Sequence, residues 1–359
     1  MKHIRTALLA AAIAHSLAAC GGGGGGDSAP TGGVAPTPVD NKPGPSNPTP
    51  APGKYVGSFY YSGDNRSIYK INLETGVQAK VYDSNTSPAN AAEADAALNF
   101  ATLADGVLAV TYSVRDPVSL DMRYFSKRYG DNAAGGELLF PEQVDGESKG
   151  RPLPSPNGQF LMLDWRKPGF ENVDAAKTMR IFNATGQMLA EYSRPALSAW
   201  LPDNRPVFID IDGAIYTADA GFNKLDRLGV VPNGAVPTAL APSPDGRKLA
   251  MVMNGNVWTS NLDGSNAVQV TDVTETKFDV RAPRWSPDGR YIAFSYRKAP
   301  SVIGWGAGCY AAWIVPAAVT TRVDAYGDGN DNVVLDAQGR PLCVSWELPF
   351  GQFVFIDWK

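Results

Sequence analysis

Histidine is almost missing from this chain of 359 residues: there are two, His3 and His15, both within the first twenty positions. Once that segment is cleaved, no imidazole remains, which excludes Ser-His-Asp catalysis, histidine general bases and histidine-ligated metals. Cysteine is scarce as well, at three residues. No apolar run approaches the ~20 residues a spanning helix needs. No glycine-rich loop leads from a strand into a helix to cradle a phosphate. Net charge is −4, and loss of Lys2 and Arg5 takes it to −6, so nucleic acid is not the expected partner. What is present is the composition of a globular protein, 44% hydrophobic and 19% charged, with many of its 37 glycines and 28 prolines crowded between residues 21 and 53.

Residues 1–19 read as an address. Lys2, His3 and Arg5 form a basic start, and Ala7 to Leu17 a short apolar core, the pattern of a secretory signal. A plain secreted protein cleaved nearby is the alternative reading. The segment ends Leu17-Ala18-Ala19-Cys20, which resembles the lipobox of bacterial lipoproteins. The resemblance implies that Cys20 becomes the mature N-terminus and carries a diacylglyceryl thioether plus an N-acyl chain, enough for stable anchoring where one chain is marginal. Gly21, in place of Asp, implies the outer membrane by that family's sorting rule. Residues 20–53 then have almost nothing apolar to bury and read as a disordered tether, flexible in its glycine part and extended in its proline part.

Residues 54–359 carry a repeat. Ser286-Pro287-Asp288-Gly289 repeats Ser243-Pro244-Asp245-Gly246, 43 positions earlier. Leu201-Pro202-Asp203-Asn204 lies 42 before that, Ser155-Pro156-Asn157-Gly158 a further 46, and the weaker Leu103-Ala104-Asp105-Gly106 another 52. Leu348-Pro349-Phe350-Gly351 reads as a degraded copy. This period fits a four-stranded propeller blade. Proline pre-sets φ, Asp or Asn bonds to local backbone, and glycine follows where φ is often positive. A β-rich run follows each turn, as in Leu249 to Met253 and Tyr291 to Phe294. Second hairpins are tightest at Asp212-Gly213 and Asn254-Gly255.

The stretch Ala282 to Phe294 resembles the repeat of TolB-type β-propellers, related to WD-like repeats. The resemblance implies an all-β propeller of four-stranded blades. In this chain a tether stands where that family has an α/β domain, so the family's Tol-Pal partners are not carried over. Five blades are expected near 98–148, 151–193, 196–229, 237–272 and 280–325. A sixth would be closed by strands from both termini, with Ser67 to Leu73 and Val77 to Tyr82 outermost. Ser58 to Tyr61 is then one strand too many, which leaves seven blades as the alternative.

No cofactor is expected. Asp324 to Asn332 alternates acidic and amide residues like a Ca²⁺ loop, but Val333 and Gly339 stand where that loop needs Gly and Glu, so a solvated loop is the reading. Asp210, Asp212 and the turn aspartates read as structural. With Cys20 consumed by lipid, Cys309 and Cys343 either pair in an oxidising compartment or stay as two separate buried thiols. Long connections at 113–121, 166–177 and 297–309, with blade linkers 130–150 and 326–340, are expected on one rim. Two open alike, with Arg166-Lys167 and Arg297-Lys298, and Trp305 lies inside the second. Arg and Trp are common interface anchors, so these five residues are the expected binding surface. The function expected is a membrane-anchored, non-enzymatic periplasmic module that binds an envelope protein, peptide or glycan. The alternative is a propeller hydrolase or lyase using carboxylates or a metal.

Overall fold

The computed structural model describes residues 55–62, 67–83, 99–115, 118, 122–129, 137–145, 153–166, 177–273, 280–296, 309–323, 333–334, 342–346 and 356–359. All fall in one compact unit, Asn47–Lys359. Helix is confined to a single 3-10 turn at Pro232–Gly234 among the described residues. The rest is strand and turn.

The chain opens with β1 (Ser58–Ser62), β2 (Ser67–Asn72) and β3 (Gln78–Asp83). Blade one follows as β4 (Asn99–Thr102), β5 (Leu108–Arg115), β6 (Met122–Tyr129) and β7 (Glu137–Asp145), and blade two as β8 (Leu153–Pro154), β9 (Phe160–Arg166), β10 (Lys177–Asn183) and β11 (Met188–Ser193). Blade three has β12 (Pro195–Trp200), β13 (Pro206–Asp210), β14 (Ala214–Ala218) and β15 (Leu225–Val230). Blade four has β16 (Ala239–Pro242), β17 (Lys248–Met253), β18 (Asn256–Asn261) and β19 (Val268–Gln269). Blade five has β20 (Val280–Trp285), β21 (Tyr291–Tyr296), β22 (Cys309–Pro316) and β23 (Cys343–Trp346). Blade six is completed by β24 (Ile356–Trp358), which pairs antiparallel with β1 and gives the order β24-β1-β2-β3. The molecule is a six-bladed, all-β propeller.

The core lies between blades rather than within one sheet. Met162, Met179 and Ile181 of blade two pack with Trp200, Phe208 and Phe222 of blade three. Phe294 and Trp313 of blade five pack with Val252 and Val257 of blade four, and Phe59 and Trp358 of blade six with Tyr310 and Ile314 of blade five. Ile209 and Ile215 of blade three pack with Leu249 and Met251 of blade four, and Tyr60 and Ile68 of blade six with Phe100 and Val110 of blade one. Blades three to six are therefore covered on both faces. That is why β17 reads Leu-Ala-Met-Val-Met without polar alternation, buried along its whole length after Lys248. Only the innermost and outermost strands have open edges, and four of the innermost carry a proline (Pro154, Pro195, Pro242, Pro283). Proline has no N–H to leave unpaired on an edge facing the central channel.

Six blades exclude the seventh, and the strand that seemed spare has a place. β1 is the second strand of blade six, because the C-terminal run divides: β23 completes blade five and β24 becomes the innermost strand of blade six. Blade five therefore does not end near 325. Its last strand returns after an excursion that begins beyond Pro316 and bridges Thr271 to Val323 and Trp313 to Val333. Residues 326–340 accordingly connect third and fourth strands instead of linking blades. The stretch 130–150 is no simple linker either, since β7 occupies Glu137–Asp145. Pro141 disguises that strand. It is tolerated because β7 is an outermost strand and its register with β6 shifts between Tyr124 and Ser126.

Candidate functional site

The four strands of a blade alternate in direction, so first-to-second and third-to-fourth connections leave one rim. Second-to-third and blade-to-blade connections leave the other. The repeated tetrapeptide builds the first rim, here the turn rim. In blade four the Ser243 hydroxyl donates to Asp245 Oδ1 at 2.5 Å, the Arg247 amide donates to the same oxygen at 3.1 Å, and the Lys248 amide donates to Ser243 Oγ at 2.9 Å. Blade five repeats the pattern through Ser286, Asp288, Arg290 and Tyr291, and blade two through Ser155, Asn157, Gln159 and Phe160. The Ser243 hydroxyl, followed by the Arg247 amide, holds the Asp245 carboxyl below the usual carboxylate range. Burial alone would raise Asp288, but the Ser286 hydroxyl and the Arg290 amide and guanidinium outweigh it and hold the carboxyl low.

Neighbouring turns also meet one another. Ala104 N donates to Pro156 O at 2.7 Å, and Asn157 N to Asn204 Oδ1 at 2.9 Å. Pro202 abuts Gly246, Pro244 approaches Gly289, and Pro287 reaches Gly57. Indoles add cross-blade ties, from Trp200 Nε1 to Leu153 O at 2.8 Å and from Trp285 Nε1 to Ala241 O at 3.0 Å. Pro156, Asn157, Gly158, Pro244, Asp245, Gly246, Pro287, Asp288 and Gly289 thus build turns whose side-chain oxygens bond within the turn or to the next blade.

The opposite rim carries three long connections. The stretch between Pro316 and Cys343, longer than any of them, joins third and fourth strands and leaves from the turn rim, so the expectation that the long connections share one rim does not hold. β5 and β6 part at Arg115/Met122, β9 and β10 at Arg166/Lys177, and β21 and β22 at Tyr296/Ala311. Arg166 is the last residue of β9, so its backbone marks the root of one such connection. Lys167, Arg297, Lys298 and Trp305 lie outside the described residues, as does the acidic stretch 324–332. Two ionic groups that sequence reasoning passed over stand at this end. Lys177 bonds Asp164 Oδ2 at 2.8 Å and donates to Ala196 O at 3.1 Å, tying blade two to the inner strand of blade three. Arg194 pairs with Asp212 at 2.8 Å. Asp210 Oδ1 accepts the amides of Asp212 and Ala214, each at 2.9 Å, so this carboxylate serves its hairpin. Only pairing across the blade seam distinguishes Lys177 from any other strand lysine, and no sequence signal marks that.

The channel wall is the third surface. Its six strands read Asn-Phe-Ala-Thr, Leu-Pro, Pro-Ala-Leu-Ser-Ala-Trp, Ala-Leu-Ala-Pro, Val-Arg-Ala-Pro-Arg-Trp and Ile-Asp-Trp. Their charged residues are Arg281, Arg284 and Asp357. Arg284 Nε lies 3.9 Å from Asp357 Oδ1, and Asp357 Oδ2 accepts the Thr102 amide of blade one at 2.8 Å. Three blades meet at this carboxylate. Among the described residues no group of three or more His, Cys, Asp or Glu could hold a metal ion. Cys343 is disulfide-bonded, and it stands on β23 beside β22, the strand that carries Cys309.

No family model matches the chain, and no curated protein matches it. Solved structures do resemble it. A putative TolB from Agrobacterium tumefaciens is 18% identical, with 70% of this chain and 85% of that one covered at a TM-score of 0.45. An oligogalacturonate lyase in complex with manganese is 17% identical, with 67% and 70% covered at 0.45. The β-propeller domain of the Trilobed protease from Pyrococcus furiosus, with an open velcro topology, is 13% identical, with 69% and 72% covered at 0.41. The likeness is one of propeller to propeller: a TolB-like propeller is among the structures this chain resembles.

Proposed function

We propose that this chain is a membrane-anchored periplasmic binding lipoprotein of the outer membrane that presents its loop rim to an envelope protein, peptide or glycan without catalysing a reaction. The observation that carries the reading is the unlike chemistry of the two rims. In the repeat turns of blades two, four and five, side-chain oxygens, hydroxyls and amides bond within the turn or to the next blade. At the other rim the strands of blades one, two and five part into connections of residues 116–121, 167–176 and 297–308. Large connections on a rigid ring are where binding is usually placed. Arg166, Lys167, Arg297, Lys298 and Trp305 are the proposed anchors. Loss of every histidine with residues 1–19 supports the non-enzymatic part.

The test compares capture from envelope extracts by the intact detergent-solubilised protein and two variants. Alanine at all five rim positions is expected to abolish capture of the wild-type partner at unchanged melting temperature, because exposed loop positions contribute little to stability. Asp245→Ala with Asp288→Ala is expected to lower the melting temperature and leave capture intact below it. Full capture by the rim variant would remove the rim from the reading. Turnover of an envelope glycan or peptide by the purified protein would replace it with the enzyme alternative.

A further inference from the structure

The seam between blades two and three changes character along its length. Toward the turn rim it is apolar, with Met162, Met179 and Ile181 against Trp200, Phe208 and Phe222. Residues two apart on a strand share a face. Asp164 therefore lies on the face of Met162, Lys177 on that of Met179 and Ser198 on that of Trp200, each one step nearer the loop rim. There the Lys177 ammonium meets Asp164 Oδ2 at 2.8 Å and donates to Ala196 O of blade three at 3.1 Å. The Lys177 side chain keeps only 11% of its surface exposed, and that of Asp164 28%. Among the described side chains no other lysine or arginine is as buried as Lys177.

This tie mirrors one at the other end of the same seam. Trp200 of blade three donates through Nε1 to Leu153 O, on the inner strand of blade two, at 2.8 Å. Lys177 of blade two donates to Ala196 O, on the inner strand of blade three. Each blade thus holds the other's inner strand, and two ties set apart along a seam stop the blades from rotating about either one. The backbone continues the polar tie. The Arg194 amide donates to Lys177 O at 2.8 Å, the Ile211 amide donates to Arg194 O at 3.2 Å, and the Arg194 guanidinium pairs with Asp212 at 2.8 Å. Arg194 adopts φ of 62°, a region that costs a non-glycine residue energy and is held only where the surroundings fix it.

A buried ion pair is a weak source of stability, because desolvation of both charges offsets most of their attraction. This layer is incompletely satisfied as well: the Ser198 hydroxyl oxygen is buried without a hydrogen-bond partner among the described residues. Apolar side chains continuing the seam would hold the blades together as firmly, so what the pair adds is direction. We propose that Lys177 is a positioning residue. It latches the loop-rim ends of blades two and three in one orientation and so fixes the strand ends, Arg166 and Lys177, that residues 167–176 connect. That the latched rim serves binding rests on the function proposed above, whereas the latch itself is tested without a partner.

Amide hydrogen exchange of the intact detergent-solubilised protein is the measurement, with melting temperature beside it. Asp164→Leu with Lys177→Met replaces the pair by apolar groups of similar size and is expected to melt within a few degrees of wild type. Exchange in the peptides that hold Arg194 and Ile211 is expected to rise about ten- to a hundredfold, while exchange in blades four and five stays as in wild type. Asp164→Asn with Lys177→Gln is the second variant, for the case that the first folds poorly. It removes both charges without adding apolar surface, shortens the reach to Ala196 O, and is expected to show the same local rise. Wild-type exchange at Arg194 and Ile211 in a folded variant overturns the latch. A rise shared by all blades also overturns it, because the pair would then be a general stabiliser. Neither result depends on what the rim variant captures, so the two proposals fail separately.

Discussion

Asp245 acts through one oxygen and Asp288 through both, its Oδ2 accepting Arg290 Nε at 2.6 Å. Each Oδ1 takes a serine hydroxyl and a backbone amide, and the serine oxygen in turn takes the amide that starts the next strand. Ser243 and Ser286 are buried, so removing either carboxylate strands a hydroxyl proton away from water. Asp245→Ala and Asp288→Ala are each expected to cost about 1–2 kcal/mol in urea unfolding. The pH dependence has a definite sign. Both carboxyls are depressed in the folded state, so the stability they add is fully present above the unfolded value of about 3.9. It is lost as pH falls through the lower folded value. Melting temperature should therefore drop on acidification more in wild type than in the double Asp→Asn variant. Glycines separate in the same way. A Cβ on Gly264 would stand 2.0 Å from Val230 O at the blade three–four seam, whereas one on Gly255 would meet nothing within 4 Å. Both have positive φ. Gly255→Ala is expected to cost about 1–2 kcal/mol from backbone strain alone. Gly264→Ala should cost clearly more, since blade three or blade four must shift.

At the scale of the strand, the ring depends on β24. It contributes Trp358, whose Nε1 donates to Val56 O at 2.9 Å, and Asp357, which reaches blades five and one. Deleting Ile356–Lys359 is expected to lower the melting temperature of the whole domain and to produce oligomers on size exclusion, because the edge of β1 is laid bare. An unchanged, monomeric truncation would contradict closure by this strand. The second element with a covalent stake is β23. A non-reduced digest is expected to yield one peptide joining Cys309 to Cys343, whereas a bond from Cys343 to Cys20 would contradict both this pairing and the lipid assignment. These elements also show where the sequence was legible. Leu-Pro-Asp-Asn and Asp-Gly turns located the strands of blade three, and Ser-Pro-Asp-Gly and Asn-Gly turns those of blade four, because turn chemistry and strand burial point the same way there. β7 was hidden by Pro141, and β23 by the long excursion after Pro316, since neither is bounded by a repeat turn. The channel charges were printed plainly in the sequence, but the register shift between Arg281 and Arg284 keeps their faces from being read by alternation.

At the scale of the molecule, the lipid anchor proposed at Cys20 would set where the propeller can act. Residues 21–53 are rich in glycine and proline and poor in groups that could be buried. The lipid anchor proposed at Cys20 would limit reach without choosing the binding face. This makes the anchor separable from binding, and Cys20→Ser tests it cleanly. The variant is expected to incorporate no labelled palmitate and to fractionate with the soluble periplasm, since the apolar run before it is too short to hold a membrane as a spanning helix. Its melting temperature should equal that of wild type, because the substitution lies outside the propeller strands. Wild type that takes up no label, or a variant that stays with membranes at high salt, would show that the propeller is held there by something other than lipid.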